Sequence, residues 1–224
     1  MYNNHMRYFD DRQAAGRLIA DQLAGAYRYE DCAVIALNDG AVLVGFEIAI
    51  RLHCIVTMLL TAQIKLPREN DTLATIDHNG LATYGDRYSI GELEAIKAEY
   101  MNYIEQEKIQ KKSEINKLLG DGGVIDPDLL RNRVVIVVSD GLMNGMSMRA
   151  ASQFLKPLKT KGVVMVAPFA TVAAVDQMHV LADKIVCLNV FDEIISVDHY
   201  YERNELPPHE QIIKTIQDVI LKWQ

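Results

Sequence analysis

Arg133-Val134-Val135-Ile136-Val137-Val138-Ser139-Asp140-Gly141-Leu142-Met143-Asn144-Gly145-Met146-Ser147-Met148 decides how this chain folds. Six residues from Val134 are apolar or nearly so, and β-branched side chains dominate, as a strand covered on both faces requires. Gly141 and Gly145 then let the backbone turn and come close to another group. Ser147 offers a hydroxyl near the first turn of a following helix. A strand end, a glycine loop and a helix N-terminus together make an anion site, because unpaired N–H groups point at one spot. Alone, D-G-L-x-N-G also describes an ordinary strand-to-helix turn.

Working outward, β and α signals alternate. Residues 145–156, 171–181 and 10–27 carry helical apolar spacing. Residues 33–37, 55–61, 163–167 and 185–188 are short apolar strands. A helix from about Ala41 follows the loop at Asn38-Asp39-Gly40. Such alternation points to a parallel sheet wrapped by helices. Gln63 to Asp71, with Pro67, is expected to be a polar, mobile connection. Leu73–Asp77 and Leu81–Thr83, split by Asn79-Gly80, are expected to pair as a hairpin. Ser89-Ile90-Gly91-Glu92 is a capping box. It opens a long helix towards Leu119 and Gly120, whose half from Glu105 to Lys117 is mostly charged and is expected to be a solvated or partner-facing arm. Gly120-Asp121-Gly122-Gly123 is expected to be a flexible joint. Pro207-Pro208 opens a last amphipathic helix through Ile212, Ile216, Ile220 and Trp223.

The 224 residues can bury a full core, and one domain with a helical insertion at about 89–120 is the simplest count. The net charge of −7 gives a nucleic acid or an anionic membrane no support. The polar start Met1-Tyr2-Asn3-Asn4-His5 lacks a signal peptide's apolar stretch, which argues for the cytoplasm. Cys32, Cys54 and Cys187 lie in or beside apolar runs, as reduced core thiols do. No metal-ligand spacing is present, so no metal site is expected from side chains alone.

The strand and loop at 134–147 resemble the signature of the type I phosphoribosyltransferases. In that family two acids precede a loop of the form G-[IL]-x-T-G-x-[ST]. The acids hold the ribose hydroxyls of phosphoribosyl pyrophosphate, and the loop cradles the 5′-phosphate. Asp140, Gly141, Leu142, Gly145 and Ser147 stand where the pattern wants them, with Ser139 in place of the first acid and Asn144 in place of the threonine. The resemblance covers nearly the whole chain. It is nearest a bacterial-type group of unassigned substrate, whose start F-x-D-R-x-x-A-G-x-x-L-A is similar to Phe9–Ala20. Val34–Val42 resembles that group's strand and pyrophosphate loop, A-L-P-R-G-G-V, and Ala182–Leu188 resembles A-D-x-[IV]-V-C-L.

The resemblance implies an α/β fold with a phosphoribosyltransferase-like parallel sheet. It implies a 5′-phosphate and ribose site at Ser139, Asp140, Gly141, Leu142, Met143, Asn144, Gly145, Met146 and Ser147. Asn38, Asp39, Gly40 and Ala41 become the pyrophosphate loop, in which Asp39 replaces an arginine. A turn and helix cap is the plainer reading of that loop. Ala62 and Gln63 stand where a basic pair is usual, and Lys65 or Arg68 could supply substitute charge. Ser139 offers a neutral hydroxyl, which should cost about 1.5–3 kcal/mol against a charged acceptor. His199, Tyr200, Tyr201 and Arg203 lie near the family's closing segment, with packing ranked before base stacking.

Three changes on one degenerate site lead to an expected function. The chain is expected to keep a ribose-5-phosphate loop for a ribose phosphate, phosphoribosyl pyrophosphate or a nucleotide, with glycosyltransferase chemistry impaired or lost. Mg²⁺ is expected only with phosphoribosyl pyrophosphate. The alternatives are an active Mg²⁺-dependent transferase of nucleotide metabolism and an interaction protein with an empty pocket; a homo-oligomer is compatible with all three.

Overall fold

A computed structural model of the chain describes residues 9–69, 71–85, 87–119 and 125–219. The elements run α1 (Arg12–Tyr27), β1 (Cys32–Ala36), α2 (Asp39–Leu52), β2 (Ile55–Met58), β3 (Thr61–Lys65), β4 (Thr72–Asp77), β5 (Ala82–Tyr84), α3 (Ile90–Glu99) and α4 (Met101–Leu119). They continue through β6 (Val134–Val138), α5 (Met146–Leu155), β7 (Gly162–Thr171), α6 (Val172–Leu181), β8 (Lys184–Phe191) and α7 (His209–Asp218).

Five strands form a parallel sheet in the order β2-β1-β6-β7-β8, with β6 at its centre. The uninterrupted β-branched run explains that position, since alternate side chains of β6 enter two different cores. Ile136 and Val138 join Val34, Ile19, Leu23 and Ile48 under α1 and α2. Val135 and Val137 join Ile35, Met165, Met148 and Met178 under α5 and α6. Each such side chain, removed from water, contributes roughly 1.5–3 kcal/mol. The expected parallel sheet wrapped by helices is therefore present.

The segment from β3 to α4 is inserted between β2 and β6. β3, β4 and β5 make a separate antiparallel sheet. The hairpin at Asn79-Gly80 forms as expected. Gly80 takes φ of 85°, and the Asp77 carboxylate accepts the N–H groups of Asn79 and Leu81 at 2.9 and 3.0 Å. Two expectations are corrected. Gln63, Ile64 and Lys65 are not a mobile connection but the end of β3, which carries a register shift between Ile64 and Lys65. The long helix breaks at Tyr100, after a capping box in which the Ser89 N–H donates to Glu92 at 2.8 Å.

The charged half of α4 is not a free arm. Ile104 and Ile115, each 3% exposed, lie three turns apart on one face. Ile104 packs with Leu66 and Leu73, whereas Ile115 joins the main core with Ile64 and Ile76. Between them the Lys112 ammonium donates to the Asn79 carbonyl at 3.1 Å. Lysine stems cover apolar surface while their charged ends stay wet, so few aliphatic residues suffice to seat this helix. The Gly120–Gly123 joint, Ile220 and Trp223 lie outside the described residues. No helix among the described residues is long and apolar enough to cross a membrane.

Burial pushes the thiols of Cys32, Cys54 and Cys187 up to about 11, about 12 and about 11. With thiolate as the reactive form, iodoacetamide at pH 8 should label the native cysteines roughly 100-fold more slowly than the denatured ones. Mass spectrometry of timed aliquots measures this, and fast labelling of Cys187 in the native chain would contradict it.

Candidate ligand-binding site

β6 delivers the loop Ser139–Gly145 at its carboxyl end, where open α/β sheets bind ligands. The Ser139 hydroxyl turns inward on the loop itself. It donates to the Gly141 carbonyl at 2.9 Å and accepts the Gly141 N–H at 3.3 Å. The Leu142 N–H donates to Phe169 O at 3.0 Å, and Leu142 O accepts from Thr171 N at 2.9 Å, so the overrun of β7 pins the loop. Asn144 Oδ1 accepts the Met146 N–H at 3.2 Å at the start of α5. The N–H groups of residues 147 and 148 have no partner within that helix.

The loop glycines answer to the protein before any ligand. A Cβ on Gly141 would stand 2.5 Å from the Phe169 ring, and one on Gly145 would stand 2.1 Å from Gln177 Oε1. The sequence alone had Gly145 letting the backbone come close to another group. Gln177 already fills that space, so Gly145→Val must displace it.

A cavity of about 510 Å³ opens over the loop. Ser139, Gly141, Leu142, Met143, Asn144 and Ser147 form its floor, and Leu37 and Asn38 one wall. Gln63, Lys65, Asp71 and Thr72 come from the β3–β4 hairpin, and Val197 from the segment before α7. Gln63, at one place of the missing basic pair, faces this cavity and accepts the Thr72 hydroxyl at 2.9 Å. Lys65 also faces it, at the register shift of β3, where a bulge re-aims a side chain. The Tyr103 hydroxyl of α4 donates to the Lys65 carbonyl at 3.0 Å. Asp71 is paired with Arg87, while the Lys65 ammonium has no acidic partner among the described residues.

Asp140 lies beneath this floor, 4% exposed. Its Oδ2 accepts from Arg12 Nε at 2.8 Å and its Oδ1 from Asn38 Nδ2 at 3.0 Å. The Tyr201 hydroxyl donates to its carbonyl. Arg12 continues the network to Asp198 at 2.6 Å and to the Asn204 carbonyl at 3.1 Å, with its guanidinium 4.6 Å over the Tyr201 ring. Burial works against the Arg12 charge, but Asp140 and then Asp198 outweigh it and hold the guanidinium above its usual range. Burial, with Asp140 adding to it, pushes the Tyr201 phenol far up. A carboxylate held from both sides in this way braces the loop, whereas the sequence reading had it waiting for a ribose hydroxyl. Arg12 was missed as a site residue, although it is the arginine of the Phe9–Ala20 pattern.

The expected pyrophosphate loop is a helix start. Asn38 caps α2 by accepting the Ala41 N–H at 2.7 Å. Asp39 pairs with His209 Nδ1 at 2.7 Å. A Cβ on Gly40 would stand 2.1 Å from Asp140 Oδ2, so glycine lets α2 descend onto the ion pair. Asp39 and Gly40 line a second cavity of about 300 Å³, shared with Leu118, Leu206 and His209. Asn38 lines both cavities, and Asp140 lines the second together with Asp39 and Gly40. Tyr200 and Tyr201 pack with Phe9 and Phe169, and Arg203 pairs with Asp11, as the packing reading expects.

The donors do not fit a magnesium ion. Ser139 is spent on its own turn, Asp140 on Arg12 and Asn38, and Asp71 on Arg87.

No family model matches the chain. A curated protein of Mycobacterium tuberculosis, present in strains CDC 1551 / Oshkosh and H37Rv and provisionally named a phosphoribosyl transferase, is 27% identical over 184 residues, 82% of this chain. The chain is thus similar to proteins provisionally named phosphoribosyl transferases. It spans only 40% of those relatives' length. The crystal structure of TT1426 from Thermus thermophilus shares the fold, with a TM-score of 0.70 and 23% identity over 96% of this chain and 99% of that one. The shared fold includes the strand-to-loop frame of the site.

Proposed function

We propose that this phosphoribosyltransferase-family protein binds a ribose 5-phosphate group, free or within a nucleotide, and does so without efficient transfer. The carrying observation is the 510 Å³ cavity, whose floor is the loop 139–147 and whose opposite wall holds Lys65, without an acidic partner among the described residues. The α5 N-terminus and the Asn144 and Ser147 side chains donate to a phosphate monoester. Lys65 adds one positive charge in a space where Asp71 is already neutralised by Arg87. Transfer needs a stabilised pyrophosphate leaving group. The loop that would hold it carries Asp39, turned to His209, and the Asp140 carboxylate is committed to Arg12.

Ribose-5-phosphate titrated into the labelled protein should shift the amides of residues 143–148 first, and should raise the melting temperature. Lys65→Ala should weaken binding about 10- to 100-fold, the loss of one charge-assisted contact of about 1.5–3 kcal/mol. Phosphoribosyl pyrophosphate with purine, pyrimidine or orotate acceptors should give no pyrophosphate at rates on the order of 1–10³ per second. No response at millimolar ligand would refute binding, and turnover in that range would restore the active-transferase reading.

A further inference from the structure

His209 opens α7, and its ring is engaged at both nitrogens. Nδ1 lies 2.7 Å from Asp39 Oδ1 in the first turn of α2, and Nε2 lies 2.9 Å from the Leu118 carbonyl in the last turn of α4. A carboxylate and a carbonyl only accept. A neutral imidazole has a single N–H, so it can serve one of them and must turn a lone pair on the other. An imidazolium serves both. Three helix ends therefore meet on one ring whose hydrogen-bonding capacity depends on its charge.

The charges around the ring support this. Asp39 faces it from α2. On α4 the carbonyl end of the helix favours a cation, while Lys117, one residue before Leu118, opposes it. On α7 the helix start opposes a cation and Glu210, the next residue, offsets that. Asp140 lines the same 300 Å³ cavity, but its carboxylate is taken by Arg12 and Asn38.

We propose that His209 is a proton-operated latch, closing α7 and the end of α4 onto the loop Asn38–Gly40 when the ring carries two N–H groups and loosening them when it carries one. Opening it frees Asp39 and uncovers the cavity behind the loop, and Asn38 carries the change to the ligand cavity. The inference stands independently of which ligand that cavity takes.

The test uses the whole chain without ligand. Ring ¹⁵N shifts of His209 and amide exchange in residues 211–218, corrected for the intrinsic pH dependence of exchange, are followed from about pH 5.5 to 8.5, spanning the imidazole titration. Both ring nitrogens should be protonated at the acid end. Protection of α7 should fall roughly tenfold across the ring's own titration, about the worth of one hydrogen bond. His209→Gln and Asp39→Asn should each flatten that profile. A ring that keeps one protonation state throughout, or a wild-type profile matched by the variants, overturns the latch. Should His209→Gln fail to fold, the wild-type ring shifts and Asp39→Asn decide by the same criteria.

Discussion

Replacing Arg12 by methionine should destabilise the protein by about 3–5 kcal/mol, because it leaves the Asp140 carboxylate buried without its cation. Arg12 and Asp140 are both nearly inaccessible to water, so little solvent replaces the lost partner. Methionine approximates the arginine stem, which confines the effect to the guanidinium and its bonds to Asp140, Asp198 and Asn204. In a chain of this size the change corresponds to a fall in melting temperature of roughly 6–20 °C. Urea denaturation gives the free energy directly. Adding Asp140→Asn to Arg12→Met should recover part of the loss, since the second change removes the stranded charge. A cost under about 1 kcal/mol, the range of an exposed pair, would mean that water reaches Asp140 and that it remains open to a ribose hydroxyl.

Excising residues 105–117 with a short Gly-Ser bridge should abolish cooperative unfolding. The sequence alone had this segment as a solvated or partner-facing arm. Ile115 sits in the main core beside Ile64 and Ile76, and truncating such a side chain to alanine alone costs about 2–5 kcal/mol. Excision also uncovers β3 and β4, and releases the Lys112 bond to Asn79. Circular dichroism melting of Ile115→Ala and of the excision tests this. A sharp transition in the excised chain would return the segment to the solvent.

The parts of the fold that were legible in the sequence are those governed by neighbours in the chain. The β-branched run at 134–138, the Asn79-Gly80 turn and the Ser89–Glu92 box each contain their own cause, and each forms. The break at Tyr100 and the seating of α4 were not legible. The seating rests on two isoleucines spaced three turns apart, with lysines between them that read as a wet face. The end of β3 was misread for a similar reason: its pairing partner, β4, overrides the polar character of Gln63 and Lys65.

The site divides in the same way. Sequence by itself determined that a strand, a glycine loop and a helix start stand together at 134–148, since backbone geometry and local residue types suffice for that. Only the tertiary structure decided what each polar side chain faces. Asp140 meets an arginine 128 residues away, and Asp39 meets a histidine 170 residues away. A carboxylate's role follows from which cation or donor reaches it in a dry setting, and chain spacing carries no record of that. The same packing set the exposed Lys65 at the edge of the ligand cavity, because the register shift in β3 and the Tyr103 hydroxyl fix where its backbone lies.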